Sequence, residues 1–178
     1  SAASAALQGQ TKPTSMVAIR PSNGRILAVA NYPGGFDRAL QGTYPPGSTF
    51  KVVTAYALLR AGLRPSDTVE CPEAANVGGQ VIHNSEGEET GSMTFTEALA
   101  QSCNTAFASL APKLGPTGLK DTAAQLGIGI PWNIGINVFT GSVSSGGDAT
   151  EQAAAAVGQG KTLVSPVVMG SAGGGVGR

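Results

Sequence analysis

The stretch Tyr44-Pro45-Pro46-Gly47-Ser48-Thr49-Phe50-Lys51 constrains this chain most, because a Gly/Pro-rich approach that resists helix runs straight into residues that demand one. Val52, Val53, Ala55, Tyr56, Leu58 and Leu59 give a wide apolar face that stops at Ala61-Gly62, so the pattern predicts a buried helix over Thr49 to Arg60 with Ser48 on its first turn. Three residues of helix turn through roughly 300° and rise about 4.5 Å, which puts Ser48 and Lys51 on one face within reach of each other. A serine hydroxyl becomes a good nucleophile only when a base takes its proton, and a lysine kept neutral by burial and neighbouring cations can be that base. Unpaired N–H groups and the positive dipole end at a helix start would stabilise the resulting oxyanion. The plainer alternative is a Ser48 that only caps the helix and a solvated Lys51.

A second element lies about fifty residues on. Thr94-Phe95-Thr96-Glu97 reads as a capping box opening a helix through Ala98, Leu99 and Ala100, and Ser102-Cys103-Asn104 follows as a turn before another helix, Thr105 to Lys113. From such a turn Ser102 would relay a proton between Lys51 and a leaving group, while Asn104 would orient Lys51 and donate to a substrate amide. Read without Ser48 and Lys51, the same two residues would simply cap the next helix.

Together these residues resemble the transpeptidase domain of penicillin-binding proteins, with its SxxK, SxN and KTG elements. The resemblance runs from about Thr14 to Met169 and rests on TYPPGSTFKVVTA, SCNTAF, and Ala156-Val157-Gly158-Gln159-Gly160 followed by Leu163-Val164-Ser165-Pro166, in the family's order. The YPPGSTFK form looks like the monofunctional, class B branch. The resemblance implies an α+β penicillin-binding/β-lactamase-like fold, an antiparallel sheet flanked by helices with the nucleophile helix against it. It implies a peptidoglycan D,D-transpeptidase with Ser48, Lys51, Ser102 and Asn104 as catalytic residues. Partners would be the D-Ala-D-Ala end of a stem peptide, β-lactam antibiotics, and membrane proteins of elongation or division. It further implies a place on the outer face of the cytoplasmic membrane, with the anchor removed from this chain.

The third element departs from the family. Lys161-Thr162 is followed by Leu163, not glycine, and is not assigned to the KTG strand. The expectation is a partial domain, residues 1–169, lacking its C-terminal strands and with them the second oxyanion donor, followed by a Gly-rich tail or linker at 170–178. Two other functions stay open: a β-lactam sensor or catalytically silent fragment, and, ranked lower, a β-lactamase or D,D-carboxypeptidase. A β-lactamase would need a deacylating carboxylate, and Asp121, Asp148 and Glu151 do not fall in its pattern.

The remaining signals are weaker. With a formal net charge of zero and 12% charged residues, no nucleic-acid partner is expected. One histidine, His83, without clustered ligands argues against a metal, and no cofactor is expected. Cys71 and Cys103 are the only cysteines; a disulfide and two buried thiols both remain open. Ser1 to Gln10 reads as a helix end, and Met16 to Ile19 and Arg25 to Ala30 as a hairpin around Pro21-Ser22-Asn23-Gly24. Asn31 to Thr43 reads as a loop. Pro65 to Gly91 reads as a surface insert with strands near Thr68 to Cys71 and Gln80 to His83 and a solvated acidic run at Glu86, Glu88 and Glu89. Helices are expected over Gly118 to Leu126, over Glu151 to Val157 and from Pro166, with an irregular Gly127 to Ser145 whose Trp132 either packs or lines a groove.

Overall fold

Alternating apolar residues around a Pro-Ser-Asn-Gly turn form the expected hairpin, β1 (Thr14–Arg20) and β2 (Arg25–Tyr32), paired antiparallel from Thr14↔Tyr32 to Arg20↔Arg25. Gly24 takes the left-handed conformation the turn needs, with φ +70°, and its N–H donates to Arg20 O at 2.9 Å. The register slips between Ala18 and Ile19, the mark of a bulge. The structure, a computed structural model, describes residues 1–85 and 90–176, so the acidic run Glu86, Glu88 and Glu89 lies outside the described residues.

Eight α-helices are described: α1 (Ala2–Ala6), α2 (Arg38–Gln41), α3 (Lys51–Arg60), α4 (Phe95–Ala100), α5 (Asn104–Leu110), α6 (Gly118–Gln125), α7 (Ala149–Ala156) and α8 (Pro166–Val176). Two further antiparallel pairs, β3 (Thr68–Cys71) with β6 (Gly91–Thr94) and β4 (Ala74–Val77) with β5 (Gln80–His83), build the insert between α3 and α4. The expected strands at 68–71 and 80–83 are there. β4, β6 and the short α2, which lies in the stretch read as a loop, were not expected, and pairing or a cap defines them: Asp37 Oδ1 accepts from Leu40 N at 3.2 Å to start α2.

Helix α3 separates two apolar clusters. One flank, with Phe50, Val53 and Ala57, packs with Leu119, Ala123, Ile128, Val164 and Val168; the other, with Ala55 and Leu58, packs with Val69, Phe95, Phe107 and Val157. Of the expected apolar face Leu59 stays exposed and Val52 and Tyr56 are half-buried, while Lys51 and Thr54 are buried beside Val53, Ala55 and Leu58.

Two expectations need correcting. The hairpin does not carry α3 on its face as the resemblance implied; α8 packs on β1, and α3 packs on α8 and α6. The Gly-rich run expected as a flexible tail continues α8 as helix through Val176. Burial holds it: Val167, Val168 and Ala172 are fully buried, and at Gly170 a methyl would come 3.2 Å from Ile19 Cδ1. Small residues that lower helix propensity in isolation let this helix fit between a strand and its neighbours.

The capping box forms as read. Thr94 Oγ1 accepts from Glu97 N at 3.2 Å and Thr94 N donates to Glu97 Oε2 at 2.8 Å. That backbone bond, and after it the Thr94 hydroxyl, hold the Glu97 carboxyl below its ordinary value. A carboxyl lowered on folding stabilises the native state above its unfolded value, and the gain is lost as pH falls through the folded value. Glu97→Gln is therefore expected to lower the urea midpoint at pH 7, with the gap to wild type closing toward pH 3. Thr94→Ala is expected to cost about 1 kcal/mol at neutral pH in the same assay.

Candidate active site

Ser48 precedes the regular helix. It sits in a 3-10 turn, Gly47–Phe50, that runs directly into α3, because Pro46 leads in with helical dihedrals and offers no side-chain cap. Thr49 Oγ1 closes the turn by donating to Pro46 O at 2.6 Å. Ser48 does not cap a helix, and the residue is exposed. Lys51, one turn on, is only 1% exposed. Its amine lies within hydrogen-bond distance of four oxygens, Ser48 Oγ at 3.2 Å, Ser102 Oγ at 2.9 Å, Asn104 Oδ1 at 2.6 Å and Ser102 O. It also lies 5.8 Å from the centroid of the Phe107 ring, within cation-π range. All four residues singled out in the sequence thus meet at one amine.

The geometry of the Ser102 turn follows from how α4 ends. Ser102 N donates to Leu99 O at 3.0 Å and Cys103 N to Ala98 O at 2.9 Å, the paired bonds of a Schellman stop. Such a stop places its first residue past the cap in the left-handed region, where glycine is preferred. Here that residue is Ser102, with φ +63°, the single positive-φ residue other than glycine among those described. Serine in that conformation costs on the order of 1 kcal/mol, and what it brings that glycine lacks is the hydroxyl on Lys51.

The local-capping alternative fails for both polar residues, because Cys103 caps α5: its Sγ accepts from Ala106 N at 3.3 Å. Ser102 and Asn104 are left to face Lys51. Cys103 also forms a disulfide with Cys71 of β3, resolving the choice left open in the sequence. Asn84 supports the same turn. Its Oδ1 accepts from Thr105 N at 3.0 Å and its Nδ2 donates to Pro72 O at 2.9 Å. One hydrogen of the Asn104 amide is engaged by His83 O at 3.2 Å, so only the other remains for the substrate amide contact anticipated from sequence.

Other candidates fall outside the cluster. Lys161 is 80% exposed and ion-paired with Glu151, whose hydrogen bond and charge raise its pKa. Trp132 packs: its Nε1 donates to Gly127 O at 2.8 Å and its ring joins the α3–α8 cluster. A cavity of about 290 Å³ lined by Leu63, Val69, Glu70, Leu110 and Lys113 receives none of the four site residues. Among the described residues no cluster of three or more His, Cys, Asp or Glu could hold a metal, and no helix is long and apolar enough to cross a membrane. Phe107, which falls within SCNTAF, and Asn84, well upstream of SxN in the polar insert, were given no role from the sequence.

A family model of the penicillin-binding protein transpeptidase domain matches residues 14–172. The chain belongs to this family. It is 32% identical over 150 residues to the peptidoglycan D,D-transpeptidase PbpA of Mycolicibacterium smegmatis, covering 66% of this chain and 30% of that protein. Among solved structures, penicillin-binding protein A of M. tuberculosis in its penicillin G acyl-enzyme complex superposes with a TM-score of 0.87 at 25% identity, over 94% of this chain and 47% of that one. Pseudomonas aeruginosa PBP2 in complex with WCK 5153 gives 0.84 at 25% identity, over 97% and 48%. The fold is therefore the penicillin-binding transpeptidase fold, and the chain spans about 30% of the length of the curated PbpA relative.

In this transpeptidase-family domain the disulfide lies inside the SxN turn itself. The two cysteines are 32 residues apart, and a cross-link of that span is worth about 3 to 4 kcal/mol in the chain-entropy account. Cys71→Ala with Cys103→Ala is expected to lose stability of that order by denaturant titration. Wild type is expected to lose it on adding reductant, while the reductant leaves the double variant unchanged.

Proposed function

We propose that the chain carries the acylating half-site of a class B peptidoglycan D,D-transpeptidase on the outer face of the cytoplasmic membrane. One observation carries this reading: a single buried amine, Lys51 Nζ, lies within hydrogen-bond distance of both the Ser48 and Ser102 hydroxyls. A proton leaving Ser48 has a base beside it, and that base has a second hydroxyl to hand the proton to.

In this mechanism the neutral amine of Lys51 takes the Ser48 proton as Oγ attacks the carbonyl between the two terminal D-alanines of a stem peptide. The tetrahedral oxyanion is met by the Ser48 backbone N–H at the start of the helical segment. Collapse breaks the C–N bond; Ser102 delivers its proton to the departing D-alanine nitrogen and recovers one from Lys51. The acyl group is left as an ester on Ser48, and the amine of a neighbouring stem peptide attacks it to form the cross-link. Asn104 holds Lys51 and offers its remaining N–H to the substrate amide. A β-lactam enters the same way, but its ring nitrogen stays tethered after the C–N bond opens, so the ester persists. The disulfide suits an oxidising compartment outside the membrane. Membrane proteins of wall synthesis are the partner class this location implies.

Intact-mass spectrometry with benzylpenicillin tests the reading. The expected result is one adduct per chain, absent in Ser48→Ala, with acylation slowed about 10² to 10⁴-fold in Lys51→Met and less in Ser102→Ala. A folded wild type that takes no adduct would favour the silent module, and rapid release of hydrolysed penicillin would favour a β-lactamase.

A further inference from the structure

The position of Ser48 is not set by α3 alone. Its 3-10 turn has no side-chain cap, and on both sides it is tied to the end of α7 and the segment that follows it. Tyr44 and Val164 exchange backbone hydrogen bonds, both at 2.9 Å; Gly47 N donates to Gly158 O at 2.9 Å; and Thr54 Oγ1, fully buried, donates to Ala156 O at 2.7 Å. Pro45 and Pro46 have no N–H to contribute, so Gly47 carries the backbone donor adjacent to the serine. Residues 156–164 thus form a platform under the nucleophile turn.

Gly158 is the closest point of that platform. It adopts φ +74°, and a methyl there would overlap Gly47 O while standing 2.7 Å from Gly47 C and 2.9 Å from Gly47 N. All three are backbone atoms of the residue before Ser48 and cannot rotate away. Relief requires the turn and the platform to part by on the order of 1 Å. Gly160, in the same loop, makes a useful contrast. Its φ is +68°, so a side chain there meets the same left-handed penalty, yet a methyl would touch only Ala154 Cβ, at 3.3 Å.

We propose that Gly158 is a positioning residue for Ser48: the missing side chain lets its carbonyl hold the Gly47 N–H, and this contact fixes where the Ser48 hydroxyl stands against Lys51. The proposal rests on the reading of Ser48 as nucleophile. Because a misplacement of about 1 Å at a reacting atom costs roughly 100-fold in rate, the effect falls on the acylation step and not on the initial docking of the β-lactam.

Stopped-flow acylation with benzylpenicillin separates the limiting acylation rate from the pre-acylation dissociation constant. Backbone amide NMR reports Gly47 and Ser48 independently of any reaction. For Gly158→Ala we expect the limiting rate to fall about 100-fold with the dissociation constant little changed, and the Gly47 and Ser48 resonances to move. Gly160→Ala is expected to match wild type in both. A Gly158→Ala chain that acylates at the wild-type limiting rate, or whose Gly47 and Ser48 resonances are unmoved, overturns the proposal. So does Gly160→Ala slowed to the same degree, since strain in the loop would then suffice. Should Gly158→Ala fail to fold, Thr54→Val loosens the second tie without a clash; slowing on the order of 10-fold at unchanged docking supports the platform, and no slowing overturns it. An adduct that persists in Ser48→Ala, or none on wild type, removes the nucleophile reading instead, and the amide shifts then decide alone whether Gly158 sets the turn.

Discussion

A buried amine has to be answered by acceptors, and much of this structure is arranged to answer Lys51. Sequestering it with no partners would cost several kcal/mol. The hydroxyl of Ser48 on its own segment, the carbonyl and hydroxyl of Ser102, and the Asn104 amide oxygen converge on it. That requirement couples α3 to the α4–α5 turn across more than fifty residues of chain, and the same coupling assembles the chemistry. The bonds that let the lysine be buried are the same contacts on which the proposed proton transfers rely.

The surroundings hold each partner at a defined place. Below Lys51 lies the Phe107 ring, itself packed against Phe95 with centroids 5.5 Å apart. On the Ser102 side, the Schellman stop of α4, the Cys103 cap of α5, the disulfide to β3 and the Asn84 bridge all act on a three-residue turn. On the Ser48 side, the residues after α7 brace the turn from beneath. The cluster thus pairs a buried Lys51 with an exposed Ser48, the arrangement that the proposed acylation requires.

Features with a local cause were legible in the sequence. The α3 pattern, the Thr94–Glu97 box, the hairpin and the Pro166 start each depend on residues within one or two turns of each other, and each formed within a residue or two of its expected bounds. Features whose cause lies elsewhere in the chain were not. β4 and β6 exist through pairing, with β6 bonded to a strand some twenty residues earlier. The Gly-rich run read as a tail continues a helix whose Val167, Val168 and Ala172 are buried in the core, with Ile19 close against Gly170. Likewise, the hairpin's partner is α8 and not α3, a choice made by packing that no single segment encodes.

The sequence by itself determined the chemical inventory and its local presentation: a serine three residues before a lysine at a helix start, and a serine and an asparagine flanking one residue of a turn. Short-range geometry suffices for that, since helical spacing and capping act over a few residues. Only the tertiary structure decided that Cys71 and Cys103 are bonded, that Asn104 spends one hydrogen on His83 O, and that Gly47, the residue before Ser48, rests on the backbone of Gly158. Those outcomes depend on where distant segments come to lie, and that is fixed by the packing of the whole core around α3.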